Sequence, residues 1–224
     1  MTASPMTPPL RQRLSYQPVL LGVAVLLTSA ALIYVNYATK DKIALRMEED
    51  LKASLAQVVP PTMYDNQILK DTVTIQDTDV TGKPGSTLFY RARKHGKIVA
   101  FAFPEVAYGY SGEIDLIMGV DTKGTLLGVR VVAHAETPGL GDKIEADKSH
   151  WIFGFKGKSL SNPSPDKWLV KKDGGVFDSF TGATITPRGV VKGIKHGLEV
   201  FVAHRAQLLQ DSGNAGGRKT DDNK

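Results

Sequence analysis

The residues best suited to chemistry surround Thr184, where hydroxyl, small and charged side chains follow one another closely. Thr186 followed by Pro187 is a favourable N-cap and first-turn pair, so a helix is predicted to begin there. Thr184 would then lie just before a helix N-terminus, where free backbone N–H groups and the positive end of the helix dipole favour a phosphate. Gly182 and Ala183 are small enough for a bulky group to approach the backbone. The segment therefore predicts a phosphate site that contains a hydroxyl group.

Charged residues near this segment fit the same interpretation without requiring it. Arg188 is close enough in sequence to neutralise an anion, and Lys171 and Lys172 could do the same for a phosphate or a reduced cofactor. Solvated loop lysines and an ordinary loop-to-helix cap explain the pattern as well, because short motifs often match by chance. The local pattern alone leaves both interpretations open.

The segment that begins at Asp178 and ends at Thr184 resembles the flavinylation motif of FMN-binding domains. That motif has an acid, two variable residues, a Ser or Thr, and then Gly-Ala-Thr; Thr181, Gly182 and Ala183 occupy the corresponding positions. In those families a flavin transferase splits FAD and leaves FMN on the last threonine as a phosphoester. The resemblance implies that Thr184 carries covalent FMN and that the other motif residues, Asp178 among them, contribute to the cofactor site.

A second stretch, His-Ala-Glu-Thr-Pro-Gly-Leu-Gly from His134, is similar to a loop in the G subunit of the Rnf electron transport complex and in a related protein, the C subunit of the sodium-translocating NADH:quinone reductase. The resemblance implies that this loop lies beside the flavin, where Glu136 and Thr137 hydrogen-bond the ring or ribityl chain and Leu140 contacts the cofactor. Taken alone, His134 and Glu136 suggest a metal or acid–base pair, but no third ligand is in view. A strand-end loop with solvated polar groups is the other interpretation.

The residues around the Thr184 motif resemble the Rnf family more than the quinone-reductase family. Lys-Lys-Asp-Gly-Gly precedes the motif, and the motif ends within the stretch Thr-Gly-Ala-Thr-Ile-Thr-Pro. Gly-Tyr-Ser-Gly from Gly109 is also typical of the family, although it predicts an ordinary turn as well. The resemblance implies a redox subunit that relays electrons within an ion-translocating NADH/ferredoxin oxidoreductase complex and is not catalytic alone. It implies as partners the other subunits of the complex and a flavin transferase for maturation. It also implies the bacterial inner membrane, with the soluble domain in the periplasm.

A long uncharged segment, predicted to be a transmembrane helix over residues 18–38, follows an N-terminal segment, 1–17. No charged residue occurs between Arg13 and Lys40, and a helix needs roughly 20 apolar residues to cross the bilayer core. A cleaved signal peptide is the competing interpretation, but the apolar stretch is long for one and lacks a convincing small-residue cleavage site. Two arginines precede the segment and three basic residues from Lys40 to Arg46 follow it, so charge alone weakly favours the orientation opposite to the one that the resemblance implies.

The elements that would position the site form one α+β domain over residues 60–210, preceded by a helical stalk over 39–59 that Pro60 ends. Sequential strands joined by short turns predict a twisted antiparallel sheet flanked by helices. The predicted strands are 73–75, 88–93, 98–103, 113–120 and 125–133, followed by a loop-rich stretch and the helix after Thr186. The polar, glycine-rich tail, 211–224, is predicted to be disordered.

Composition limits the chemistry open to the chain. The net charge is +5, but there is no basic stripe, so a nucleic-acid partner is not expected. There is no cysteine, so redox chemistry requires an added cofactor, and no Gly-x-Gly-x-x-Gly fingerprint is present for direct NADH oxidation. A membrane-tethered binding or assembly module without flavin is the alternative function, while a hydrolase using His134 or Thr184 lacks a visible triad.

Overall fold

The computed structural model describes residues 16–210 of the chain. The predicted tail, 211–224, and nearly all of the predicted N-terminal segment, 1–17, lie outside the described residues. The chain divides after Asp50 into two compact units.

Helix α1 spans Tyr16–Val58 and supplies the described part of the first unit. Its stretch Gln17–Lys40 has a mean hydropathy of 2.3 and is not buried within the protein. By length and composition this stretch can cross a membrane, a test that an N-terminal signal sequence would also pass. The stretch covers the predicted span 18–38, and the helix continues through nearly all of the predicted stalk 39–59.

The second unit contains a five-stranded antiparallel sheet in which each strand pairs with its neighbour along the chain. The strands are β1 (Thr72–Thr78), β2 (Pro84–Lys94), β3 (Lys97–Tyr108), β4 (Glu113–Asp121) and β5 (Leu126–His134), and helix α2 spans Ile185–Leu209. This sheet with its helices confirms the predicted α+β class.

Strand β3 is longer than predicted because its pairing continues past Pro104. The prediction ended the strand at Phe103, but β3 pairs with β4 as far as Tyr108. Strand β2 pairs with β3 only up to Ala102, so Pro104 lies where β3 has an open side that tolerates a missing N–H. The extension brings the end of β3 and the following turn to the cavity described below.

Helix α2 covers one face of the sheet, and a stripe of glycines lets it lie directly on β3. Gly189, Gly193 and Gly197 are four residues apart and therefore share one side of the helix. A Cβ added at Gly193 would lie 2.7 Å from the Ala107 Cβ, and one at Gly189 would collide with the Tyr108 carbonyl oxygen. Close contact at these positions fixes the start of α2 against the end of β3.

The opposite face of the sheet is covered by the last turns of α1, which belong to the second unit. Leu55 and Val58 are fully buried there. Glycines again permit the contact: a Cβ at Gly119 would lie 2.5 Å from the Val58 carbonyl oxygen, and one at Gly128 would lie 3.2 Å from the Val58 Cα. Because both faces are covered, the loops at the strand ends are left to form a site.

An aromatic cluster orders the long stretch between β5 and α2, which is folded into short 3₁₀ turns. Phe155 stacks on Phe177 with 4.6 Å between the ring centroids. Trp151 packs edge-on against Phe180 and donates its indole N–H to the Asp178 carbonyl oxygen at 2.8 Å. The cluster thus holds the backbone immediately before Thr184.

Candidate cofactor site

A cavity of about 460 Å³ lies among three segments of the second unit: the turn after β3, the loop after β5 and the first turn of α2. Its volume falls within the range of roughly 300–1,000 Å³ typical of small-molecule sites. Its wall contains Tyr110, Glu136, Thr137, Leu140, Gly141, Gly182, Ala183, Thr184, Ile185 and Thr186. The wall includes these residues that the sequence predicts as cofactor contacts: Glu136, Thr137, Leu140, Gly182, Ala183 and Thr184.

Thr184 occupies the N-cap position of α2, which begins at Ile185. Its carbonyl oxygen accepts a helical hydrogen bond from the Arg188 N–H at 3.3 Å. The predicted N-cap, Thr186, is wrong: that side chain is fully buried, and its hydroxyl donates to the Glu136 carboxylate at 2.5 Å. The helix therefore starts two residues earlier than predicted, but Thr184 is still at its N-terminus. The Thr184 side chain makes no capping hydrogen bond, so its hydroxyl is not committed to the helix.

A cation contacts Thr184 from the loop that precedes the motif. Lys172, which is exposed, donates from Nζ to Thr184 Oγ1 at 3.1 Å. Arg188, the other expected cation, instead forms a bidentate pair with Asp173 at 2.5 and 2.6 Å. The guanidinium hydrogen bonds lower the pKa of Asp173. The Thr184 hydroxyl thus has an ammonium group and a helix N-terminus beside it, and both favour a phosphate.

Glu136 ties the three segments of the wall together. It is 6% exposed; its Oε1 accepts from the Ser111 N–H at 2.9 Å, and its Oε2 accepts from the Thr186 hydroxyl. Glycines leave the space for this carboxylate, because a Cβ at Gly141 would lie 2.5 Å from Oε2 and one at Gly109 would collide with Oε1. Glu136, a predicted cofactor contact, therefore also hydrogen-bonds to the other two segments of the wall.

His134 supports the loop from behind the cavity wall. Its Nδ1 accepts from the Glu136 N–H at 3.0 Å, which places the ring proton on Nε2, and Nε2 donates to Glu145 Oε1 at 2.8 Å. Both ring nitrogens are thus used within the fold. Between Tyr16 and Gln210, no group of three or more His, Cys, Asp or Glu side chains is arranged to hold a metal ion.

Two predicted cofactor contacts lie outside the cavity wall. Asp178 pairs with Lys171, with 2.6 Å between Oδ1 and Nζ, and its side chain is 68% exposed. Thr181 is exposed in the turn before Gly182, whose φ of +83° favours glycine. Both side chains are accessible from solvent, and a role at the cofactor stays a prediction for each.

The remaining wall residues are not among the predicted contacts: Tyr110, Gly141, Ile185 and Thr186. Tyr110 lies in the Gly-Tyr-Ser-Gly turn, and the two glycines are the feature of the sequence that could have indicated a site residue there. With Leu140 and Ile185 it gives the cavity a partly exposed apolar rim, which suits a flat aromatic ring. The contact between Thr186 and Glu136 joins positions 50 residues apart, so no local pattern indicates it.

Comparison with known proteins finds a matching family and several relatives. The FMN-binding domain family matches residues 109–199, a range that contains the whole cavity wall. The chain is 50% identical over 190 residues to the ion-translocating oxidoreductase complex G subunit of Cereibacter sphaeroides, covering 85% of each chain. It is 45% identical over 196 residues to the protein of the same name from Shewanella loihica, covering 87% of this chain and 92% of that one. The crystal structure of Shewanella oneidensis NqrC is 25% identical, with a TM-score of 0.48 over 69% of this chain and 73% of that one.

Proposed function

This chain belongs to the family of G subunits of ion-translocating oxidoreductase complexes, and we propose that it carries FMN as a phosphoester on Thr184 and relays electrons between partner subunits. The observation that carries the proposal is the position of the Thr184 hydroxyl. It lies in the cavity wall, at the N-terminus of α2, with Lys172 Nζ 3.1 Å from Oγ1. Each of these features favours a phosphate joined to that oxygen.

The chemical types of the wall residues match the parts of FMN. Thr184 offers the ester oxygen, and Lys172 offers a positive charge for the phosphate. The rim formed by Tyr110, Leu140 and Ile185 is apolar and suits the isoalloxazine ring. Bound FMN would supply reversible uptake of electrons, which the side chains of this cysteine-free chain do not provide.

Attachment requires the Thr184 hydroxyl to act as a nucleophile towards FAD, with a flavin transferase as the catalyst. Oγ1 forms a bond to the FMN phosphorus, the pyrophosphate bond of FAD breaks, AMP leaves and the hydroxyl proton passes to a base. Gly182 and Ala183 are small, so they leave the approach to Oγ1 open. The Lys172 ammonium then pairs with the anionic phosphodiester.

The same proposal assigns the place of the chain in a complex. The stretch Gln17–Lys40 anchors it in the bacterial inner membrane, and the domain that holds FMN lies in the periplasm. The ester prevents the cofactor from diffusing away while its ring exchanges electrons with partner subunits. NADH and ferredoxin chemistry and ion transport belong to those partners.

The test is co-expression of the full chain with a flavin transferase, comparing wild type with Thr184→Val, Thr184→Ser and Ser179→Ala. Valine keeps the shape of threonine without its hydroxyl, and serine keeps the hydroxyl. Ser179→Ala is the matched control, because it removes a hydroxyl at a variable motif position outside the cavity wall. We expect an ultraviolet-fluorescent band on a denaturing gel, and a mass increase equal to FMN less one water, in every protein except Thr184→Val.

Two results would overturn the proposal. If FMN remains covalently bound to Thr184→Val, the attachment site is elsewhere. If wild type stays dark while the transferase modifies a known substrate, the chain is better described as a membrane-tethered binding or assembly module without flavin.

A further inference from the structure

Glu136 presents a buried carboxylate to the proposed FMN cavity. It lines the wall and is 6% exposed. Its Oε1 accepts from the Ser111 N–H at 2.9 Å and its Oε2 accepts from the Thr186 hydroxyl at 2.5 Å. Both carboxylate oxygens thus accept a hydrogen bond from the wall, as an ionised carboxylate does.

Within residues 16–210, no Lys, Arg or His side chain forms an ion pair with Glu136, whereas the nearby acids Asp142 and Glu145 each have one. Both of its donors are uncharged groups, a backbone N–H and a hydroxyl. The neighbouring His134 accepts the Glu136 N–H on Nδ1 and donates from Nε2 to Glu145, an arrangement that uses the neutral imidazole ring. The negative charge therefore faces the cavity uncompensated.

The surrounding backbone keeps the carboxylate in place. A Cβ at Gly109 would collide with Glu136 Oε1, and one at Gly141 would lie 2.5 Å from Oε2. Any larger residue at these two positions would displace the carboxylate from its donors. The two hydrogen bonds hold the carboxylate, and the two glycines leave the space for it.

We propose that Glu136 holds the reduction potential of the bound FMN low by placing a fixed negative charge in the cavity wall. The proposal rests on the proposed function, since it concerns the cofactor of that site. Reduction adds two electrons to the neutral ring, and when only one proton follows from water the reduced ring is an anion. A fixed carboxylate repels that anion, and its burial strengthens the repulsion because water screens the charge less. The oxidised ring carries no net charge and is affected less, so the oxidised form is favoured.

The test compares the midpoint potentials of wild type and Glu136→Gln, measured by spectroelectrochemical titration of the full FMN-loaded chain in detergent. Glutamine has the same shape and can keep one acceptor in place, but it carries no charge. We expect at least a tenfold shift of the redox equilibrium towards reduced FMN at a fixed applied potential. For a two-electron couple this corresponds to a midpoint that is more positive by about 30 mV.

Two variants separate charge from structure. Thr186→Val removes one hydrogen bond from the same carboxylate but leaves its charge, so the midpoint should stay at or below the wild-type value. Glu199→Gln removes an exposed carboxylate of α2 outside the cavity wall and should leave the midpoint unchanged. A rise in Thr186→Val as large as that in Glu136→Gln would show a structural effect and overturn the proposal, as would an unchanged midpoint in Glu136→Gln.

Covalent loading is read on the same samples by in-gel fluorescence, which distinguishes the two proposals. If wild type carries no FMN, the proposed function fails. If wild type and Glu136→Gln are both loaded and titrate together, the proposed function stands and the role of Glu136 is wrong. If Glu136→Gln does not fold or load, Thr186→Val alone decides, because a raised midpoint in that variant contradicts the charge argument.

Discussion

At the scale of single residues, the ammonium group of Lys172 is the part of the site most open to a direct test. It is the cation that contacts the Thr184 hydroxyl, and it comes from a loop twelve residues earlier in the chain. Its charge would meet the phosphate both when the ester forms and after it has formed.

Replacing Lys172 by Met should slow the incorporation of FMN at least tenfold, since a hydrogen bond to a charged group contributes about 1.5–3 kcal/mol. Lys172→Arg should retain part of the rate because it keeps the charge. Incorporation is followed as fluorescence per unit of protein over time with purified transferase and FAD. Lys192→Met, an exposed lysine of α2 outside the cavity wall, is the control. Equal rates for Lys172→Met and this control would show that the contact is incidental.

Most residues of the cavity wall belong to two stretches that the sequence points to through the resemblance, because the motif around Thr184 and the loop from Glu136 to Leu140 are each continuous in the chain. What cannot be predicted is how separate loops meet. Arg188 is positively charged and only four residues from Thr184, which suits a phosphate there, but its guanidinium is paired with Asp173 instead. Such an ion pair depends on the path of the loop in the folded protein, and the spacing of residues along the sequence does not reveal that path.

At the scale of elements, the contact between α2 and β3 positions the site, because the first turn of α2 forms part of the cavity wall. The apolar periodicity predicts that helix, but it does not show how closely the helix approaches the sheet. The glycine stripe that permits the approach becomes meaningful only when β3 lies under it.

Gly189→Ala should destabilise the protein, although alanine normally favours a helix by about 1 kcal/mol over glycine. The added Cβ would collide with the Tyr108 carbonyl oxygen, which belongs to the backbone and cannot move aside. Overpacking of this kind costs about 1–3 kcal/mol, or a Tm lower by about 2–12 °C in a domain of this size. Gly154→Ala, where a Cβ meets nothing within 4 Å, is the control in thermal melts of the full chain in detergent. An unchanged Tm for Gly189→Ala would contradict the close packing.

A buried acid between β3 and α2 should make stability depend on pH. Burial raises the pKa of Glu105 to about 7 from an ordinary value of 4.5, although His196, whose Nδ1 is 3.2 Å from Oε1, opposes the rise. The folded state therefore binds more protons than the unfolded state between about pH 4.5 and 7. The stabilisation from protonated Glu105 is complete below that window and is lost as the pH rises through about 7.

Glu105→Gln should remove this dependence, because glutamine resembles the protonated acid at every pH. The variant should match wild type near pH 5 and exceed it near pH 8 by at most about 3 kcal/mol. Denaturant unfolding of the full chain across pH 5 to 8 measures the difference, with Glu199→Gln as the exposed control. A parallel pH profile for wild type and Glu105→Gln would refute the role of Glu105.

At the scale of the whole molecule, the order of the strands follows from the sequence because each hairpin joins neighbours along the chain. The same reasoning predicts the α+β class. The cavity itself cannot be predicted from the sequence, because its wall is formed by three separate segments, residues 110, 136–141 and 182–186. None of these segments forms a cavity alone. Enclosure is a property of the folded unit.

At the same scale, the proposed membrane anchor leads to a prediction about how the chain fractionates. Because the helical stretch Gln17–Lys40 carries its single charge at its last residue, the full chain should stay in the membrane pellet after alkaline carbonate extraction and be released only by detergent. Replacing Leu26 and Leu32 by Arg should release it, because each charge at the centre of a span costs about 2.5–3.5 kcal/mol. Replacing Leu45 and Met47, exposed positions of α1 beyond that stretch, by Arg is the matched control and should leave the chain in the pellet.

A reporter protein fused after Lys224 shows on which side of the membrane the domain lies. Alkaline phosphatase, which folds in the periplasm, should be active there, while green fluorescent protein at the same position should be dark. A phosphatase-active fusion whose product is shortened at its N-terminus and leaves the membrane on carbonate extraction would identify the stretch as a cleaved signal. An inactive phosphatase with a bright fluorescent fusion would place the domain, and any FMN on Thr184, in the cytoplasm.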